Sequence, residues 1–140
     1  MRYEKSCGAV VFRNESGERE YLLEHMVQGH YAHCKGHVEK GETEKETAVR
    51  ETREETGLSV RFLDGFREMT EYSPGEGVYK EVVYFLAEKV NGEEKAQLSE
   101  VSGLLWASYE EARELLTYPN DRELLDKAEA FLEKQCNTEN

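Results

Sequence analysis

The sequence predicts an α/β fold in which a mixed sheet lies between layers of helix. Three observations carry that expectation. The segment VYKEVVYFLAEKV at 78–90 is rich in β-branched and aromatic residues, and 82–86 is apolar at successive positions, as a strand covered on both faces would be. A helix over 44–56 is bracketed by its own signals: Thr43 as cap, Glu46 closing a capping box, and Gly57 free to take positive φ at the stop. Leu124, Leu125, Ala128, Phe131 and Leu132 then recur at helical spacing and mark a last helix with one buried stripe. Strand-rich segments on both sides of the first helix, with helices at the end, order the chain as layers.

The first strand covers 3–13, where the run SCGAVVF places Gly8 and Ala9 against close neighbouring backbone. An NESG turn at 14–17 leads into a second strand at 21–26, and the pair reads as an antiparallel hairpin. Tyr31 and Ala32 suggest a short third strand leading into a loop before the helix. In that helix Ala48, Val49 and Thr52 form a small-residue packing stripe. The stretch 59–69 alternates around Val60, Phe62, Leu63 and Phe66 and reads as one or two strands bent at Gly65, followed by an SPGEG loop at 73–77. Beyond the 78–90 strand come a polar connection at 96–102 and a short strand at 104–106. Ser108 and Glu111 make a second capping box, for a helix reaching about Leu116. Pro119 interrupts, Asn120 caps, and the final helix covers 121–134. A length of 140 residues suits one domain, 1–140, rather than two independent cores.

Apolar residues make up 38% and charged residues 34% of the chain, and the net charge is −12. That balance argues against general nucleic-acid binding, which needs cationic surface. A small polyanion remains acceptable where cations and a few basic side chains reverse the local field. Cys7, Cys34 and Cys136 are odd in number and have no paired metal spacing; they read as unpaired thiols without catalytic role, in a reducing compartment. His25, His30 and His33 have neither zinc spacing nor a matching cysteine cluster. With no signal-like apolar run and no segment of transmembrane length, the expected setting is cytoplasmic, away from membranes.

The chemistry concentrates in GHVEKGETEKETAVRETREETGL, 36–58. Glu51, Glu54 and Glu55 stand at i, i+3 and i+4, so their carboxylates gather on one side of the helix. Like charges so placed oppose one another unless a cation sits among them. Magnesium is the natural candidate, a hard ion that takes carboxylate oxygens and keeps waters beside substrate phosphates. The helix alone is equally compatible with a solvated acidic face, since Glu is a good helix former. The surrounding spacing is more specific: G-x5-E-x7-R-E-U-x-E-E-x-G-U, U being aliphatic, is met by Gly36, Glu42, Arg50, Glu51, Glu54, Glu55, Gly57 and Leu58, with Thr52 the one departure.

On these residues the chain resembles the Nudix hydrolases. The resemblance implies a Nudix-type helix–mixed sheet–helix sandwich and hydrolysis of a nucleotide phosphoanhydride with Mg2+, or Mn2+ as substitute. It implies that Glu54 and Glu55 are metal ligands, that Glu51 is a further ligand or activates water, and that the Lys35 carbonyl joins the metal shell. Arg50 and Glu42 would pair to hold the loop and orient Glu51. Glu100, in QLSEVSGLLW, is the implied distal ligand or general base, and the choice of base between Glu51 and Glu100 stays open.

The flanks KGHVE, GFREMTEY, KEVVYFLAE, QLSE…LLW and YEEARELL are similar to one branch, the asymmetrical diadenosine tetraphosphate hydrolases. That likeness implies that Lys35, His37 and Lys80 contact the phosphate chain and that Tyr72 and Tyr118 contact the substrate as aromatic faces, while Tyr84 sits in the apolar strand. The branch carries a tryptophan and prolines before KGH, where this chain has HYAHC. Tyr31 can replace the tryptophan, but His33 and Cys34 stand in for stiffening residues. The implied partner is a small nucleotide or dinucleoside polyphosphate, and the implied state a monomer or small homo-oligomer. The alternatives are a nucleoside triphosphate pyrophosphatase, including one that removes oxidised nucleotides, a hydrolase of capped RNA ends, and a catalytically silent nucleotide-binding regulator.

Overall fold

The computed structural model describes residues 2–15, 17–95 and 101–138. In chain order the elements are β1 (Arg2–Glu15), β2 (Glu18–Met26), β3 (Tyr31–Ala32), β4 (Cys34–His37), α1 (Glu44–Thr56), β5 (Ser59–Phe62), β6 (Glu68–Gly75), β7 (Val78–Asn91), β8 (Val101–Ala107), α2 (Tyr109–Leu115) and α3 (Pro119–Thr138). Among the described residues, all eight strands join one mixed sheet. β1 and β7 form its spine, running parallel from Arg2↔Val78 to Phe12↔Glu88. The other edge of β7 is shared between β6 and β5, both antiparallel.

The other edge of β1 is divided as well, and this division makes the site. Its C-terminal half pairs with β2 from Phe12↔Tyr21 to Glu15↔Glu18, while its N-terminal half pairs with β4 from Ser6↔His37 to Ala9↔Cys34. Continuing the β2 register would set Glu24 opposite Ala9, but Cys34 holds that place. β2 therefore diverges here, passing this edge to β3 while β8 lines its opposite edge from Tyr21 onward, and a cleft opens between β2 and β4. Gly8 permits the close crossing: a Cβ there would sit 1.9 Å from the Cys34 carbonyl oxygen.

Period-two alternation assigns the two faces. Val10, Phe12, Tyr21, Leu23, Val82, Tyr84 and Leu86 pack with Leu116, Leu124, Leu125, Ala128 and Leu132 beneath α2 and α3. Ala9, Val11, Leu22 and Ala87 face the opposite side with Leu58, and Cys7, Val83 and Phe85 pack there with Ala48 of α1. Each large aliphatic side chain so buried contributes about 1.5–3 kcal/mol. The result is helix, mixed sheet, helix, as the sequence predicts.

Some boundaries differ. α1 has the expected capping box and a left-handed Gly57 (φ 77°), but its buried stripe is Thr47, Ala48, Thr52, Glu55 and Thr56, with Val49 exposed. The expected 73–77 loop is mostly strand, because β6 continues to Gly75 and only residues 76–77 turn. β8 begins at Val101, ahead of the expected 104. α3 begins at Pro119, with the amides of Asp121 and Arg122 donating to the Tyr118 carbonyl. Proline opens the helix because its missing N–H is not needed in the first turn. β4 is unheralded by the sequence reading, being four residues paired edge to edge inside the expected loop.

Candidate metal and nucleotide site

Arg50 organises the loop before α1. Its Nε donates to Glu42 Oε2 at 2.7 Å and its Nη2 to Glu42 Oε1 at 3.0 Å, a two-point grip on the carboxylate. The same Nη2 reaches the His37 carbonyl at 2.9 Å, while Nη1 donates to Glu51 Oε1 at 2.7 Å and Glu54 Oε2 at 3.2 Å. Glu42 also accepts from the Glu39 amide and from Thr47 Oγ1, and with the guanidinium these bonds lower its pKa to about 2. The pairing of Arg50 with Glu42 expected from the sequence is therefore in place, and it reaches Glu51 too. Gly36 completes the cradle, since a Cβ there would meet Glu51 Cδ at 1.9 Å.

The three helix carboxylates lie in unlike surroundings. The Glu54 side chain is 51% exposed, that of Glu51 is largely covered, and Glu55 is 4% exposed. Burial raises the pKa of Glu51 despite Arg50, and burial also raises that of Glu55. Glu55 accepts from Cys34 Sγ at 3.2 Å and from the Lys35 amide. Beside it lies Glu24 of β2, 2% exposed, whose Oε2 has no hydrogen-bond partner. Burial first, then the charge of Glu55, pushes the Glu24 pKa up. Among the described residues, ligand atoms of Glu24, Cys34 and Glu55 lie within 4.8 Å of one another, a donor set a divalent cation satisfies, so the residues present fit such an ion. Glu24, Met26, His30, Lys35, His37, Glu51, Glu54, Glu55 and Lys80 are among the residues lining a cavity of about 440 Å³.

A second cavity, about 490 Å³, lies alongside and shares His30, Ala32 and Lys35 with the first. Tyr72, Tyr84, Tyr118 and Asp121 help line it. Tyr72 stands opposite Lys80 across β6 and β7. Its ring has Lys35 Nζ at 5.6 Å and Lys80 Nζ at 6.0 Å from the centroid, and Lys35 Nζ donates to its hydroxyl at 3.3 Å. Tyr118 is held at the start of α3, where Arg122 Nη1 donates to the Leu116 and Thr117 carbonyls and the Tyr31 amide donates to Thr117 Oγ1. His33 adds a further tie, with Nε2 3.1 Å from the Asp121 carbonyl oxygen. A carbonyl only accepts, so Nε2 carries the proton; burial holds the ring neutral by lowering its pKa.

A model of the NUDIX domain matches residues 3–128 of this chain. The chain belongs to the Nudix family. It is 34% identical to the bis(5'-nucleosyl)-tetraphosphatase [asymmetrical] of Mus musculus, covering 96% of this chain and 97% of the relative. Its identity to the protein of that name from Caenorhabditis elegans is 35%, covering 91% and 96%. Among solved structures, a binary complex of a C. elegans Ap4A hydrolase superposes with a TM-score of 0.85 at 31% identity, covering 94% of this chain and 98% of that one. The protein is thus a Nudix hydrolase acting on phosphoanhydrides.

Of the side chains singled out in this Nudix hydrolase from sequence, Arg50, Glu51 and Glu54 meet in one hydrogen-bonded group. Lys35, His37, Glu51, Glu54, Glu55 and Lys80 line the first cavity, and Lys35, Tyr72 and Tyr118 line the second. Glu100 lies outside the described residues. Tyr31 stacks on His25, with ring centroids 4.4 Å apart, and His30 is the side chain that approaches the Tyr118 ring, at 5.4 Å. Glu24 escaped the sequence reading, as did the proximity of Cys34 to Glu55. Only one signal was available: an acidic residue in the apolar run YLLE, on the alternation shared by Leu22.

Proposed function

We propose that this Nudix hydrolase cleaves dinucleoside polyphosphates, converting diadenosine tetraphosphate to ATP and AMP with Mg2+, or Mn2+ in its place. The observation carrying this reading is the adjacency of an acidic cavity and a lysine- and tyrosine-lined one, joined through His30, Ala32 and Lys35. Likeness to the named tetraphosphatases over nearly the whole chain supports it.

Glu51, Glu54 and Glu55 would hold the cation, with Glu24 behind them and the Lys35 carbonyl a further candidate. When bound, the cation supplies a Lewis acid for phosphoryl oxygens and lowers the pKa of a coordinated water. Arg50 fixes Glu51 through the 2.7 Å bond and so sets the direction of its free oxygen. Glu51 or Glu100 accepts the proton of the attacking water. Lys35, His37 and Lys80 offset phosphate charge along the chain between the cavities. The Tyr72 and Tyr118 faces stack on adenine, each worth about 1–3 kcal/mol. Water attacks a phosphorus distant from one adenosine, so one product keeps three phosphates and the other keeps one. The setting proposed is the cytoplasm, which keeps the free thiols of Cys7 and Cys34 reduced.

Product analysis with Mg2+ tests this reading, using diadenosine tetraphosphate beside canonical and oxidised nucleoside triphosphates. ATP and AMP in equal amounts are expected. Conversion of the triphosphates to monophosphates, with the dinucleotide untouched, would overturn the reading in favour of a triphosphate pyrophosphatase.

A further inference from the structure

Three buried donor groups converge behind the exposed edge of the acidic cavity. Cys34 Sγ lies 3.2 Å from Glu55 Oε1 and 3.8 Å from Thr52 Oγ1. Ligand atoms of Glu24, Cys34 and Glu55 all fall within 4.8 Å of one another. Glu24 is 2% exposed and Cys34 3%, and the Glu24 carboxyl, which meets Glu55 and Cys34, keeps one oxygen, Oε2, without a conventional hydrogen-bond donor. The donors come from β2, β4 and α1 and meet because β4 displaces β2 from the edge of β1 at Ala9. Among the described residues, the cationic side chains nearby are directed elsewhere: Arg50 bonds Glu42, Glu51 and Glu54, and Lys35 Nζ and Lys80 Nζ lie against the Tyr72 ring.

Spacing and donor chemistry both favour a metal ion here. A four-coordinate cation with oxygen at about 2.0–2.2 Å and sulfur at about 2.3 Å sets its ligand atoms roughly 3.3–3.8 Å apart. Groups already this close reach that spacing by closing about 1–1.5 Å, within the range of side-chain torsions. Magnesium prefers oxygen ligands in near-octahedral geometry and keeps several waters, which a buried thiol does not provide. Thiolate sulfur favours zinc and other borderline or soft ions.

We propose that Glu24, Cys34 and Glu55 form a thiophilic divalent-cation site, of the zinc and ferrous-iron class, set behind the Glu51 and Glu54 carboxylates where magnesium is expected. The proposal rests on the reading of Glu55 as a cation ligand. On binding, the Cys34 thiol releases its proton to solvent, any proton carried by the Glu24 carboxyl leaves with it, and the thiolate sulfur and carboxylate oxygens donate electron pairs to the ion; no oxidation state changes.

Titration of the metal-free full chain with Co2+ tests it, because a sulfur-bound cobalt ion gives a charge-transfer band in the near ultraviolet. The band should saturate at one equivalent and survive a hundredfold excess of Mg2+. It should persist in a Cys7→Ala, Cys136→Ser variant whose sole thiol is Cys34, vanish in Cys34→Ser, and need at least tenfold more Co2+ in Glu24→Gln. Should Cys34→Ser fail to fold, the sole-thiol variant still assigns the sulfur. Absence of the band from the parent and sole-thiol proteins, its survival in a folded Cys34→Ser, or its removal by Mg2+ would overturn the site. Magnesium-dependent hydrolysis on the same samples separates the two readings. Hydrolysis of the dinucleotide without a sulfur band leaves the proposed function and removes this site. A Cys34-dependent band without hydrolysis of any nucleotide does the reverse.

Discussion

Replacing Gly36 by alanine isolates the placement of Glu51 from the stability of the fold. The added Cβ would lie 1.9, 2.1 and 2.3 Å from Glu51 Cδ, Oε2 and Oε1. Ordinary contact begins near 3.4 Å, so the carboxylate must retreat by about 1.5 Å. Its bond to Arg50 Nη1 is 2.7 Å, and a shift of that size directed away from Arg50 carries it out of hydrogen-bond range. The atoms that yield are the far end of a flexible side chain, so the fold absorbs the change. Misplacement of a catalytic group by about 1 Å can lower turnover about 100-fold, equivalent to about 2.7 kcal/mol of barrier. Gly36→Ala should therefore reduce kcat on diadenosine tetraphosphate by about that factor, with KM nearly unchanged and Tm within about 5 °C of the parent. Gly8→Ala is the contrasting case, since its Cβ would strike backbone, the Cys34 carbonyl oxygen at 1.9 Å and Lys35 Cα at 2.7 Å. That variant should lose stability before activity can be compared. Steady-state kinetics at saturating Mg2+ and thermal melting of both variants provide the check. A Gly36→Ala enzyme within threefold of parental kcat would refute the requirement for Glu51 in its observed position.

Glu54→Gln keeps the side-chain volume of a half-exposed group while removing its charge. It should preserve Tm and lower magnesium affinity or turnover by at least the roughly 10–100-fold typical of losing an outer-shell partner; magnesium titrations of activity decide, and parental kcat at limiting Mg2+ would deny Glu54 a ligand role. Tyr72→Ala should weaken adenine-containing substrates by about 1–3 kcal/mol while affecting inorganic tripolyphosphate less. Equal losses on both would indicate a structural tyrosine. Glu42, with its pKa lowered to about 2 by Arg50 and neighbouring donors, binds its proton less readily folded than unfolded. Its stabilisation is thus present above the unfolded value of 4.5 and is lost as pH falls from there towards about 2. Thermal melting across that interval should show a shallower acid loss in Glu42→Gln than in the parent.

The parts of the site written in one continuous stretch were readable from residue order alone. Thr43, Glu46 and Gly57 define α1, and the spacing of Glu42, Arg50 and Glu51 closes the loop onto the helix because residues so near in sequence have few ways to meet. The orientation of α1 was less readable. Its buried stripe includes Glu55 and excludes Val49, against the hydrophobic order, because the helix faces a sheet that presents Glu24 and Cys34 at that point. That arrangement depends on which of two strands holds the edge of β1 opposite Ala9, a choice made by pairing between distant segments that neither strand announces. Tyr31 illustrates the same limit: its register opposite His25 turns it into a stack on β2 and leaves His30 to approach Tyr118. The helix-borne carboxylates therefore specify a reaction class, whereas the strand edge decides which further donors surround Glu55. On the proposed reading, Glu24→Gln or Cys34→Ser would change the metal preference at Glu55 while every residue of the 36–58 pattern stays in place.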